Sequence, residues 1–277
     1  TVEGGHMAGS VARVARNNEE AKRFVEASYA QGVDLVKLMI TGGVLDAKEK
    51  GVPGEMKMPE DMIQTICKKA HQLGLLTSAH VESTEGVKAA LRNGVDSIEH
   101  GAKPDQEMME LFKEKKAFLI TTLSPALPFA LFDPSVSKVD DTQLFNGKMV
   151  FDGIVECSKA ALENHIPVGL GNDVGCPWIT QYDFYRELVY FHKYVGVTNG
   201  FAIYTATLQN AILAGISDIT GSIDAGKQAD MIVVKENPLD DLNALKNIEL
   251  VFTKGKMVHP RIKRDKEIEQ RLDVFCK

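Results

Sequence analysis

SAHVESTEGVKAALRNGVDSIEHG, residues 78–101, holds the end of one strand, a helix and a second strand. The first strand reads as 75–81 (LLTSAHV), the helix as 84–92 and the second strand as 95–100. Val87, Ala90 and Leu91 recur at helical spacing, whereas both strand runs are short, apolar and bounded by turn residues. Each strand ends close to a histidine, and His80 and His100 stand 20 residues apart, one strand-helix unit. Successive strands joined by a helix run parallel, so both imidazoles face the same mouth.

The same alternation extends in both directions. Upstream, residues 18–31 have helical spacing and stop at Gly32, and 34–41 (DLVKLMIT) is a strand through Lys37. A long loop, 42–58, precedes a helix from Pro59 or Glu60 to Leu73 or Gly74. Downstream come a helix at 105–115, a strand at 118–123, and 124–146, whose Pro125, Pro128 and Pro134 predict a loop and candidate lid. A helix at 147–164 leads to a strand at 167–173 ending in Asp173, then helices at 182–195 and 199–214. The expected fold is α/β, a (β/α)8 TIM-like barrel with five units visible and about three upstream of Thr1. An open doubly wound sheet is disfavoured, because no glycine-rich phosphate loop follows a first strand.

Residues 1–215 are thus read as a partial barrel, and 216–277 as a tail containing part of a small β-sandwich. There the stretches 230–235 and 250–254 read as strands, with a hairpin turn at Lys254, Gly255 and Lys256.

With 277 residues, 44% of them hydrophobic, the chain can bury a substantial core. Its net charge of −6, with both signs interspersed, offers no basic stripe for nucleic acid and no polybasic cluster for a membrane. Cys67, Cys157, Cys176 and Cys276 form no CxxC pair, which fits a reducing cytoplasm. No stretch has the length of a membrane span, and no signal peptide is visible. A homo-oligomer is a candidate state, since sheet edges left open by absent strands could pair.

Lys37, His80, His100 and Asp173 all fall at or near strand ends, where such a barrel places metal ligands. Lys37 is either a strand lysine snorkelling to the mouth or, if partly buried, an amine that reacts with carbon dioxide to give a carbamate ligand. Imidazole and carboxylate suit zinc or a similar divalent ion. Glu82, Glu85 and Glu99 could orient the imidazoles, and each reads equally well as a solvated charge. Asp173 is a turn aspartate or a general base. Cys176 is read as incidental packing. His6, in GGHM, is either a residue presented to substrate or a cloning remnant. His71, His165, His192 and His259 are read as structural or exposed.

Four stretches, VKLMITGGVLD (36–46), residues 78–101, GLGNDVG (169–175) and TGSIDAGKQADMIVVKENPLDDL (220–242), together resemble the amidohydrolase superfamily. The branch is that of imidazolonepropionase-like proteins and of the Xaa-Pro dipeptidase-like and Xaa-Arg carboxypeptidase-like zinc peptidases. The resemblance implies that Lys37 is a carboxylated lysine bridging two zinc ions, that His80 and His100 bind one ion, and that Asp173 binds the other and acts as general base. It also implies that His6 contacts substrate. The implied reaction is hydrolysis of a C–N bond in a small amide, dipeptide or N-acyl amino acid. The runners-up are a deaminase or cyclic-amide hydrolase, and a fragment that binds without turnover.

Three features depart from the family pattern. No His-x-His occurs, so this stretch of chain is expected to hold at most one ion, against two in the full-length protein. Glu82 stands where related peptidases often carry histidine, and Asn172 replaces a threonine before the aspartate.

Overall fold

The computed structural model describes residues 1–277. They divide into two compact units, 1–121 with 126–167, and 122–125 with 168–277.

In the first unit strands and helices alternate: α1 (Asn18–Ala30), β1 (Leu35–Met39), α2 (Glu60–Gln72), β2 (Leu76–Val81), α3 (Thr84–Arg92), β3 (Ser97–His100), α4 (Gln106–Lys115) and β4 (Phe118–Thr121). The strands pair in chain order and all in parallel, Leu35 opposite Leu76, Ser78 opposite Ser97, and Ser97 opposite Phe118. Local signals set the helix starts. Asn17, Ser83 and Asp105 are N-caps whose side chains accept from the backbone N–H of Glu20, Gly86 and Met108. At the far ends of α2 and α3, Gly74 (φ +75°) and Gly94 (φ +94°) take the left-handed conformation that turns the chain into the next strand.

The core forms where strand faces meet helix faces. Leu38, Ala79, Val81, Ile98 and Leu119 are inaccessible from the sheet, as are Ile63, Val87, Leu91 and Met108 from the helices. Burying each large aliphatic side chain contributes roughly 1.5–3 kcal/mol. Gly54 lets the 42–58 loop lie directly on β2, because a Cβ there would overlap the carbonyl of Glu82.

Residues 124–146 are not the loop that their prolines predict. They contain α5 (Leu123–Leu131), α6 (Pro134–Ser137) and the start of α7 (Asp141–Glu163). Pro125 lies in the first turn of α5, where a missing N–H costs no helical bond; Pro128 lies inside the helix and does remove one. The run LSPALPFAL is apolar enough that burial of Leu123, Leu127 and Phe129 outweighs that loss. Asp140 and Gln143 close a capping box that starts α7 earlier than the expected residue 147.

The second unit holds β5 (Val168–Leu170), α8 (Tyr185–Tyr190), α9 (Asn199–Tyr204), α10 (Asn210–Leu213) and α11 (Lys266–Asp273). Wider π-helical turns at Phe191–Val195 and Thr205–Gln209 interrupt the long helices expected from the sequence. The Asn210 side chain pairs with both backbone groups of Leu170 (3.0 and 2.8 Å) and so fixes the end of β5. A separate antiparallel sheet, β6 (Met231–Val234), β7 (Ile248–Thr253) and β8 (Lys256–Val258), matches the expected strands and hairpin. The last helix, α11, was not expected. No helix of the chain is long and apolar enough to cross a membrane.

Candidate metal centre

His80 lies within β2 and Glu82 just beyond its end, two positions apart, so strand alternation points both side chains to one side. Between them, Val81 is fully buried and in register with His100 on β3. Regular alternation would send His100 the way of Val81. Instead His100 adopts φ +70°, a left-handed conformation uncommon for a residue with a side chain, and its imidazole meets His80 edge-on with ring centroids 4.7 Å apart. Gly101 follows at φ +84°, packed so closely that a Cβ would stand 2.9 Å from Cys157 Sγ.

The result is a cluster of two imidazoles and a carboxylate, His80, Glu82 and His100, whose ligand atoms all lie within 4.8 Å of one another. Both histidines are nearly inaccessible, at 4% and 5% exposure. Burial, followed by the nearby His100 and His6, pushes the His80 pKa well below its usual value, so this imidazole is neutral at physiological pH. Its Nε2 lies 3.2 Å from the carbonyl oxygen of Gly42. A carbonyl can only accept, so Nε2 carries the proton and Nδ1 keeps the lone pair that a metal requires. Two imidazole nitrogens and a carboxylate fit a divalent ion such as zinc.

His6 stacks on His80, centroids 4.2 Å apart and planes within 8°. Its Nδ1 is hydrogen-bonded to the Asp46 carboxylate, which also accepts from Gly43 N at 3.1 Å. Gly43 is the residue over which this group assembles, for a Cβ there would stand 3.3 Å from Glu82 Oε2 and 3.4 Å from His6 Cε1. Lys37, on β1, is more open, with 36% of its side chain exposed and its Nζ 3.8 Å from Glu99 Oε1. Glu99 in turn accepts from the Ser78 hydroxyl. His71 lies away from the cluster, 2.8 Å from Asp96 Oδ2.

In the second unit, Asp173 is exposed, follows β5 and takes a left-handed φ of +50°. The Cys176 thiol donates to its Oδ2 (3.1 Å), so Cys176 is a partner of that carboxylate and not incidental packing. Glu187, on α8, is fully buried and accepts from Leu123 N (2.6 Å), Ser124 N (2.8 Å) and Ser124 Oγ (2.5 Å). It therefore holds the first turn of α5, where unpaired N–H groups favour a carboxylate. Burial pushes its pKa up to about 7; the three donors oppose that shift, and the charge of Asp173 adds to it.

An acid whose pKa rises on folding binds more protons folded than unfolded, so its contribution to stability is largest below its ordinary range and is lost as pH rises through 7. Urea unfolding of the wild type and Glu187→Gln at mildly acidic and mildly alkaline pH should show the wild type losing ground to the variant as pH rises. A gap that does not change with pH would contradict this assignment.

The sequence singled out His6, Lys37, His80, His100 and Asp173, with Glu82 and Glu99 as partners that orient the imidazoles; the structure gathers Glu82 itself with His80 and His100. The signal was available as the His-x-Glu spacing at a strand end. Asp46 and Glu187 were missed, and only the fold gives them their partners.

The chain matches the model of the amidohydrolase family over residues 2–258. It is 27% identical to ochratoxinase from Aspergillus niger over 249 residues, 88% of this chain and 50% of that protein. Among solved structures it resembles a Bifidobacterium longum protein provisionally named a prolidase, with a TM-score of 0.90, 36% identity, and coverage of 96% of this chain and 66% of that one. It also resembles a Xaa-Pro dipeptidase with methionine in its active site, with a TM-score of 0.80, 28% identity, and coverage of 94% and 66%. The chain thus spans about half the length of the curated relative and two thirds of those structures. With the model covering all but the last residues, and the histidine-rich strand ends placed as described, this chain belongs to the amidohydrolase family.

Proposed function

We propose that the protein is a metal-dependent hydrolase of C–N bonds, acting on a small amide, a dipeptide or an N-acyl amino acid. The observation that carries this reading is the convergence of His80, Glu82 and His100 in a chain of this family. The prolidase-type and ochratoxinase relatives support the substrate class. His80 and His100 are the nitrogen donors, with zinc the ion that suits them best, and a third donor comes from Glu82 or from a carbamate on Lys37. A divalent ion so held would acidify water and polarise a carbonyl. His6, fixed through Nδ1 by Asp46, presents its other edge to the substrate. Asp173 takes the proton of the attacking water and returns it to the departing nitrogen.

The test is amine release from a panel of dipeptides and N-acyl amino acids, with zinc and with chelator, using the full-length protein. Zinc-dependent release is expected, and Asp173→Asn should lower kcat by about 10²–10⁴-fold. Ammonia released only from ring substrates would favour a deaminase, and binding without turnover would refute the reading.

A further inference from the structure

We infer that Asn146, on α7, is a positioning residue for the reaction: it latches the tip of the 42–58 loop and so keeps Asp46 where it fixes His6. The inference rests on the proposed role of His6 toward the substrate and deepens it.

The loop is tied down in two different ways. Its stem is bound through the backbone, with Gly42 N–H donating to Glu55 O (2.8 Å) and the N–H groups of Lys57 and Met58 to Ile40 O (2.9 and 3.0 Å). Gly42 lies on that stem, so the carbonyl that fixes His80 is placed without help from α7. The tip is held by a side chain instead. Leu45 and Val52 are 51% and 46% exposed, and Lys48, Glu49, Lys50 and Gly51 are exposed as well, so apolar burial contributes little there. Asn146 is fully buried and spans the tip with both ends of its amide. Its Nδ2 donates to Glu49 O (2.8 Å), and its Oδ1 accepts from Gly51 N–H (2.8 Å).

The anchor itself is rigid. The capping box at Asp140 and Gln143 starts α7 just ahead of Asn146, and a Cβ on the neighbouring Gly147 would stand 2.6 Å from Phe129 Cβ, so this turn lies directly on α5. Asp46 stands between stem and tip. It is hydrogen-bonded to His6 Nδ1 and accepts from Gly43 N–H (3.1 Å). Releasing the tip would leave the Asp46 carboxylate at the root of a freed segment, and the His6 imidazole would lose its fixed orientation. The backbone ties at Gly42 would keep His80 as it is. Catalysis and metal binding should therefore respond differently to the loss of Asn146.

The experiment uses the full-length protein loaded with zinc and compares wild type, Asn146→Ala and Asn146→Asp, each checked by circular dichroism. Zinc affinity is read by chelator competition, turnover on the panel of dipeptides and N-acyl amino acids, and loop protection by amide hydrogen exchange. Asn146→Ala is expected to bind zinc within about twofold of wild type, to lose about 10–100-fold in kcat/KM, and to exchange faster over residues 44–52. Asn146→Asp keeps the acceptor for Gly51 N–H but sets a carboxylate oxygen against Glu49 O, so its loss should be intermediate. In a His6→Ala background, Asn146→Ala should cost no further activity, because both changes remove the same orientation.

Wild-type kcat/KM in folded Asn146→Ala, a parallel fall in zinc affinity, or an equal further loss in the His6→Ala background would overturn the inference while leaving the hydrolytic reading standing. A wild type that turns over none of the panel would overturn both. If neither variant folds, the wild-type Gly51 amide decides: protection supports the latch, and exchange at the rate of a free peptide overturns it.

Discussion

His80→Asn is expected to weaken zinc binding by at least about 100-fold and to remove hydrolytic activity with it. Zinc held by about four ligands binds with roughly 10–16 kcal/mol, or about 3 kcal/mol per ligand, and each 1.4 kcal/mol is a factor of ten. His80 is the ligand whose preparation for metal is most complete. It is buried, neutral, and fixed by the Gly42 carbonyl at one ring nitrogen so that the other is free to coordinate. Asparagine keeps a polar side chain of similar reach and avoids a large cavity between His6 and His100, so the variant should remain folded. Equilibrium dialysis against zinc, with circular dichroism as the folding control, measures the effect. Near-wild-type affinity in a folded variant would exclude His80 as a ligand.

Arg186→Met is expected to destabilise the second unit by about 3–5 kcal/mol, the largest effect on stability of any single change considered. The guanidinium is 2% exposed and spreads its donors over Asp183 Oδ2 (3.1 Å), Asp273 Oδ1 (2.8 Å) and Cys276 Sγ (3.2 Å). The planar fork ties α8 to α11 and to the chain beyond it, a geometry that lysine does not reproduce. Methionine would fill much of the volume but leave Asp183, 5% exposed, without its main counter-charge. That uncompensated carboxylate causes most of the loss. Adding Asp183→Asn to Arg186→Met should therefore recover part of the stability, and urea denaturation of both variants would show it as non-additivity. A loss below about 1 kcal/mol for Arg186→Met would place the network among weak surface pairs.

The repeating strand-helix units were legible because their signals are local. Ser83 and Asp105 cap α3 and α4 within one residue of the expected starts at 84 and 105, Gly74 and Gly94 turn the chain where helices end, and the strands between are short and apolar. The helix over Leu123–Leu131 was not legible, since two prolines argue against it and only burial of its apolar run decides in its favour. At the candidate site, His80 and His100 stand out in the sequence by their matching strand-end positions 20 residues apart, and their role as ligands of one ion comes only from the family resemblance. The turn that brings them face to edge depends on the left-handed backbone at His100, which no periodicity reveals. Glu82 reads in the sequence as a neighbour of the imidazoles, although the two-residue repeat of a strand carries one step beyond β2 and brings it to the side of His80. The partnership of Cys176 with Asp173 closes a turn of four residues, 173–176, in which the aspartate takes a φ of +50°.

The proposed divalent ion sits at the paired strand ends of the first unit. Diffraction from crystals equilibrated with zinc chloride, collected on both sides of the zinc absorption edge, tests it directly. An anomalous peak bonded to a ring nitrogen of both His80 and His100 is expected. A strong zinc peak elsewhere, with these two imidazoles uncoordinated, would contradict it.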